Sequence, residues 1–423
     1  MKKKFLLAAV ITAMLFSCTK DLLENEIIGN DLPEQSESKT SFIKTEEEVI
    51  DEANYLRSLF NDGTTTKNLP GNYDVSVFKR ALTKSLQNSN DTLFFIVNFE
   101  NKSGFTFIPA DRRIDAILAY SENGNLIDDS EENIFMDIVL EGMEQFIYAE
   151  LAYLDSVGIT DTKGRRGDEI ESDGPGDRFY PITGPEKVEP LLTVNWNQGS
   201  PYNNLCPLKD GERANAGCVP IAVAQVMAYH KKPASYNGYN YDWNGMINGT
   251  NNSATARLVA DVGNIMGTTY GWVENGSSTE YTKAKYCFEV MGYKNVPSFT
   301  DYSIHRLLAP LRDGYPALVR GYSTRTNNFL GLIYSYSGGH MWVVDGFQAV
   351  QKDNPNRPNL GGSIVGQENT DTYDYLLHCV PGWFGDYNGY YNYLCFEFYD
   401  HSNGRTQKEY QYELKQLTNI EWL

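Results

Sequence analysis

Ala216-Gly217-Cys218-Val219-Pro220-Ile221-Ala222 places a thiol where a loop turns into an apolar helix. Ile221, Ala222, Val223, Ala224, Val226, Met227 and Ala228 form a nearly all-apolar run, which predicts a helix buried on most sides. Pro220 suits its first turn, where the missing N–H would be unpaired and the fixed φ is already helical. Cys218 then stands at a helix N-terminus, where free N–H groups and the macrodipole are expected to favour a thiolate and lower the thiol pKa. Gly217 permits close approach of backbone and ligand. A buried structural cysteine is the other reading of this residue.

Gly338-Gly339-His340-Met341-Trp342-Val343-Val344-Asp345-Gly346 reads as a Gly-Gly turn, a His, and a short apolar strand ended by Asp-Gly. Such a His is expected to keep one open side and one packed side. An imidazole brought near Cys218 by the fold would take its proton and leave a nucleophilic thiolate. The chain has five His. His230, at the end of the Cys218 helix, is expected to interact with the helix dipole; His305 and His401 sit in polar surroundings, so His378 is the rival base. Upstream, Asn195-Trp196-Asn197-Gln198-Gly199-Ser200-Pro201-Tyr202-Asn203 combines amides with a Gly turn. The side-chain amide of Gln198 and the N–H of Cys218 form a candidate oxyanion hole; alone, Gln198 would pass for a surface turn residue.

Together these segments resemble the streptopain and interpain family of papain-like cysteine peptidases, which are secreted as zymogens. The family pattern of a Gln-Gly-x-Pro-Tyr-Asn turn falls on Gln198 to Asn203, its Gly-Cys-Val helix start on Gly217 to Val219, and its Gly-Gly-His-x-x-Val-x-Asp-Gly strand on Gly338 to Gly346. The resemblance implies Cys218 as nucleophile, His340 as base, Gln198 as oxyanion residue, Gly339 and Trp383 as supporting residues, and Gly276, Ser277 and Ser278 as part of the pocket for the second residue before the cut. It covers residues 188–423. One departure stands out: where the family has Asn-Trp after the His strand, this chain has Val380-Pro381, and a valine side chain cannot accept a hydrogen bond from His340. A backbone carbonyl or a nearby amide would have to orient the base.

The front of the chain sets the compartment. Lys2-Lys3-Lys4 and the apolar residues 5–16 read as a signal peptide, 1–17, ending in Leu15-Phe16-Ser17-Cys18, which resembles a bacterial lipobox. Cys18 is the expected lipidation site, anchoring the protein to the outer membrane or cell surface; an ordinary secretion signal with a chance cysteine is the alternative. Residues 18–46 read as an acidic tether. Residues 47–160, with a helix over 47–59, a hairpin over 93–110, a strand over 117–121 and a long helix over 133–154, resemble the family's inhibitory propeptide through Gly104-Phe105 and Ala110-Asp111-Arg112-Arg113. The alternative is an independent binding domain. A linker, 161–187, carries the basic site Lys163-Gly164-Arg165-Arg166.

A formal net charge of −19 excludes non-specific nucleic-acid binding. Neither cofactor nor metal is expected; His378, Cys379 and Cys395 lack the CxxC spacing of a zinc site. Cys379 and Cys395 bracket a Gly-rich hairpin across which they could pair, though pairing is not deducible from sequence. The fold class is α+β: a papain-like catalytic part, with helices near 218–230, 254–266 and 281–291 packed on an antiparallel sheet (strands near 317–322, 340–346 and 390–399), behind a small α+β propeptide domain. Protein or peptide substrates are expected, with the propeptide as intramolecular inhibitor. The alternative function is a catalytically impaired relative that binds peptides or proteins at the surface. An amidase or transglutaminase using the same dyad shares the first chemical step.

Overall fold

Glu47 to Phe60 repeats its apolar residues at helical spacing, and the chain obeys: helix α1 (Glu46–Phe60) buries Val49, Ala53, Leu56 and Phe60 along one side. The computed structural model describes residues 42–60, 74–78, 92–126, 133–156, 186–272, 276–328, 333–351, 373–400, 407–410 and 413–422, all within one unit, Phe42–Leu423. The signal peptide, Cys18, nearly all of the expected tether, Lys163 to Arg166 and His401 lie outside the described residues.

The remaining helices are α2 (Ile134–Ser156), α3 (Cys218–His230), α4 (Trp243–Ile247), α5 (Asn252–Met266), α6 (Lys283–Val290) and α7 (Ile304–Arg312). Among the described residues, eleven strands build one sheet: β1 (Asp74–Phe78), β2 (Phe94–Asn98), β3 (Phe105–Pro109), β4 (Ala119–Ser121), β5 (Glu186–Val188), β6 (Thr300–Asp301), β7 (Ala317–Asn328), β8 (Ile333–Gln351), β9 (Tyr373–Val380), β10 (Gly389–Asn392) and β11 (Lys415–Leu417). Their order is β1-β2-β3-β4-β10-β9-β8-β7-β11-β6, with β5 added on β8, and every pairing is antiparallel.

The four N-terminal strands are therefore continuous with the C-terminal sheet. The seam is β4 on β10, with Ala119 opposite Tyr391, Tyr120 opposite Tyr390 and Ser121 opposite Gly389. Alternation along the strands then assigns the layers. Leu318, Met341, Val343 and Val380 face the cluster containing α3, α5 and α6. Val319, Trp342 and Val344 face the opposite cluster, which contains α2 and α7. Helix α1 covers Phe95, Val97, Ile108, Tyr120 and Tyr390, so the seam itself lies under a third cluster. Stacking of Phe60 on both Tyr120 and Tyr390, with ring centroids 4.7 and 4.8 Å apart, ties that helix to both parts.

Salt bridges explain the Arg pair that sequence singled out. Arg112 grips Glu48 on α1 through Nε (2.9 Å) and Nη2 (2.7 Å), and this holds the Glu48 carboxyl down at about 2. Arg113 bonds Asp111 and reaches Asp155 at the end of α2 (2.8 Å).

Several expectations need correction. Gly338 and Gly339 do not form a turn before a short strand; both lie inside the long β8. Asp345-Gly346 does not end that strand either, since the register only shifts there and pairing with β9 resumes as far as Gln351. The stretch 390–399 divides into β10, a 3-10 turn and a separate strand, Glu397–Asp400, that pairs outside the main sheet. Helices α4 and α7 were not foreseen. Cys379 and Cys395 are free thiols, as are Cys206, Cys218 and Cys287, so no disulfide closes the hairpin.

Candidate active site

Helix α3 begins at Cys218, as its sequence predicts, and Gly217 makes that start possible. Its φ of 92° lies in the region that favours glycine. A Cβ there would also stand 3.4 Å from Pro220 Cδ and 3.5 Å from Ser277 Cβ. The same contact places Ser277 beside the helix start. Ser277 is itself fixed: Oγ donates to the Asn215 carbonyl at 2.5 Å and accepts the Gly271 N–H at 2.9 Å. Gly276 and Ser278 flank it, and Ser278 forms a bridge with Thr269.

The loop carrying Gln198 reaches the same place. Its carbonyl accepts the Ala216 N–H at 2.8 Å, while the Trp196 N–H reaches Oε1 of Gln225 on α3 at 3.2 Å. Asn197 caps its own turn by accepting the Gly199 N–H at 2.9 Å. Gln198 is half-buried beside the residues that precede Cys218.

Cys218 packs against the cluster that contains Met341 and Val219, and the backbone N–H groups of Met341, Val219 and Cys218 itself act in the direction that favours the thiolate. Burial nevertheless wins, and the thiol is pushed up from its ordinary value. The expected lowering by the helix terminus is thus not met in this state: Cys218 is only partly exposed, and desolvation outweighs the backbone N–H groups.

His340 precedes Met341, so the strand carries it to the level of the thiol, yet its ring lies on the other face. It packs 4.7 Å from Trp383, 6.3 Å from Trp342 and 6.3 Å from Phe135 of α2, measured between ring centroids. Nε2 lies 2.9 Å from the carbonyl oxygen of Pro381. As that oxygen can only accept, Nε2 carries the proton and Nδ1 the lone pair. Burial lowers the His340 pKa to about 4, so the imidazole is neutral at pH 7. The open side expected for this residue is covered by Phe135, which itself makes edge contacts with Trp342 (5.3 Å) and Tyr391 (5.2 Å). Among the described residues no hydrogen bond joins His340 to Cys218.

The structure also disposes of two other histidines. His378 gives Nδ1 to Asp345 Oδ1 at 2.5 Å, and the second oxygen of Asp345 accepts the Leu192 N–H at 2.8 Å. That pair anchors the chain entering the C-terminal part; it is not a base for Cys218. His230 lies 3.2 Å from the Tyr293 hydroxyl, and burial lowers its pKa to about 4. Being neutral, it supplies no charge to the helix dipole, contrary to expectation.

Gln198, Ser277 and Met341 therefore gather around Cys218, while the Pro381 carbonyl and Trp383 hold His340. Gly339 serves packing: a Cβ there would come within 2.9 Å of the Tyr322 ring. Sequence reasoning missed Phe135, which reads as one apolar residue among many in α2, and the part played by Pro381, whose carbonyl has no signature in residue type.

Comparison with known proteins agrees with this geometry. Residues 196–391 match the model of the Peptidase C10 family, and residues 45–147 that of the Spi protease inhibitor. The chain is 24% identical to streptopain of Streptococcus pyogenes over 75% of its own length and 83% of that protein. It is 29% identical to the thiol protease/hemagglutinin PrtT of Porphyromonas gingivalis over 46% of its length, which spans only 21% of that much longer protein. The fold resembles a fragment of Prevotella intermedia prointerpain A with a TM-score of 0.51, at 18% identity, over 83% of this chain and 99% of that one. Two successive family matches, to a protease inhibitor and then to a peptidase, together with the match to streptopain, identify the chain as a cysteine peptidase of the streptopain-like C10 family with its propeptide attached.

Proposed function

We propose that the chain is the latent form of a cysteine endopeptidase in which Cys218 is the nucleophile and His340 the base. The observation that carries this reading is the hydrogen bond from His340 Nε2 to the Pro381 carbonyl. It supplies by backbone what Val380 cannot supply by side chain, and it leaves Nδ1 as the nitrogen able to take a proton from sulfur. The propeptide helix α2 keeps that nitrogen from the thiol. Removing Phe135 frees the ring to swing toward Met341 and Cys218, forming a thiolate–imidazolium pair.

The thiolate then adds to a peptide carbonyl, forming the C–S bond while the oxygen takes the negative charge. The Cys218 N–H and the Gln198 side chain stabilise that oxyanion. Collapse breaks the C–N bond, and His340 gives its proton to the departing amine. Water, deprotonated by His340, releases the acid and restores the thiol. In the same reading, Cys18 is the lipidated N-terminus that anchors the protein to the bacterial cell envelope, and the linker is where processing occurs.

The test is hydrolysis of fluorogenic peptides by the chain after limited tryptic cleavage, in the native protein and in Cys218→Ala and His340→Ala. Activity lost in both variants, with Cys218 still alkylatable in His340→Ala, supports the assignment; activity retained in either sinks it. Mass spectrometry of the N-terminal peptide from the native host tests the anchor, since an unmodified Cys18 would exclude it.

A further inference from the structure

On the face of the sheet that carries Met341, Arg320 stands directly opposite that residue. Met341 belongs to the apolar cluster against which Cys218 packs. The two side chains share the face, so a guanidinium lies one strand away from the nucleophile. It is also held as a prepared site. Arg320 is only 6% exposed, with its guanidinium carbon 4.0 Å from the centre of the Tyr281 ring and 4.7 Å from that of Tyr322. Those two rings immobilise the plane and leave its edge to recognise something.

That edge is poorly satisfied. Nε is buried without a hydrogen-bond partner. Nη2 lies 3.7 Å from Glu413 Oε2, too far for a hydrogen bond, and Glu413 is 41% exposed on the solvent side. Burying an arginine this deeply with half its fork idle is costly unless a second carboxylate completes it. Tyr281 closes the segment that begins at Ser277 beside Gly217, so this wall runs from the nucleophile to the cation. Among the described residues, the buried ammonium of Lys44 and the guanidinium of Arg113 meet Glu52 and Asp111 at 2.7 and 2.8 Å, whereas the carboxylate nearest Arg320 stands at 3.7 Å.

We propose that Arg320 is a specificity-determining residue, taking the carboxylate of an Asp or Glu side chain at the second position before the cleaved bond. It rests on the reading of Cys218 as nucleophile. A substrate carboxylate would accept from Nε and Nη2 side by side, the two-point geometry of an Arg–carboxylate pair, and displace Glu413 toward solvent.

The experiment compares peptides with Glu, Gln or Leu at that position, using the trypsin-cut chain. The kcat/KM ratio of Glu over Gln is expected to be roughly 10 or more, carried mainly by KM, because a charged hydrogen-bond partner replaces a neutral one of equal shape. In Arg320→Gln the ratio falls to about 1, and Arg320→Lys keeps an intermediate value because it retains charge without the fork. Glu413→Gln removes the competing carboxylate and raises the ratio. No preference for Glu in the native protein, the same preference in Arg320→Gln, or an unchanged ratio in Arg320→Lys if the glutamine variant does not fold, overturns the proposal. If no peptide is hydrolysed, the cleavage reading fails by itself. Binding of a fluorescent Glu peptide to Cys218→Ala, lost or kept in the double variant with Arg320→Gln, then still decides the role of Arg320.

Discussion

His340 and Pro381 meet through Nε2 and a main-chain carbonyl, 2.9 Å apart. The proline ring cannot donate and its side chain is apolar, but the carbonyl points at the imidazole whatever side chain the residue carries. The interaction is therefore indifferent to the residue types that mark the orienting group in the related sequences.

Restoring the family pair tests that indifference. Val380→Asn with Pro381→Trp is expected to change kcat/KM by no more than about twofold, since residue 381 keeps its carbonyl. Val380 packs in the core under α3, so an amide there costs about 1–3 kcal/mol of stability. A tenfold gain in turnover, measured beside thermal unfolding, would show that the carbonyl orients the base poorly.

Acid should loosen the propeptide. Burial in the latent form holds His340 at a pKa of about 4, below its ordinary 6.5; exposure restores the ordinary value. The released state then binds more protons between pH 6.5 and 4, so docking is strongest above that window and weakens as pH falls through it. A shift of this size corresponds to about 3 kcal/mol, or roughly 100-fold in propeptide retention. Size-exclusion chromatography of the trypsin-cut Cys218→Ala chain at pH 7 and pH 4.5 checks it, and His340→Gln should flatten the dependence.

Phe135 is the lid over the base. Its truncation in Phe135→Ala is expected to cost about 3–5 kcal/mol in packing and to raise the alkylation rate of Cys218 in the uncut chain at least tenfold. Phe135→Leu, which preserves more of the core, should give a smaller rise. An unchanged rate in a folded variant would mean that the ring is held by Pro381 and Trp383 without help from α2.

The seam has its own vulnerable residue. A Cβ at Gly389 would lie 2.5 Å from the Tyr120 carbonyl oxygen and 2.7 Å from Ser121 Cα, both main-chain atoms of β4. Gly389→Ala should thus part β4 from β10 and release the propeptide from the cut chain at neutral pH. Peptidase activity after release should remain within a few fold of native, as β9 still pairs with β10 on its other side.

Much of this was legible in the residues. Cys218 to His230 form a helix because the run is apolar with proline at its third position, and those are local properties. The hairpin of β2 and β3 and the helix α2 were equally visible, each through its own periodicity. What escaped was long-range. Nothing in Tyr390 or Tyr120 announces that they pair across the two parts, and alternation cannot say that both faces of β2 are covered. Helix α7, with Pro310 inside it, reads as broken. The raised pKa of the Cys218 thiol was illegible for a related reason: the helix terminus acts locally, whereas desolvation depends on the whole assembled latent state. His230 likewise looked like a helix-end cation until Tyr293, far along the chain, buried it.

The sharing of one sheet across the seam bears on what maturation does to solubility. When the propeptide leaves, β10 loses β4 and presents a row of unpaired N–H and carbonyl groups, flanked by Tyr390 and Val350 on one face and Trp342 on the other, surfaces that α1 and α2 had covered. Bare strand edges beside apolar area are templates for further strand addition. The released enzyme thus carries a self-association hazard that the precursor does not, and its working lifetime at high concentration will be set by that edge as much as by the chemistry at Cys218.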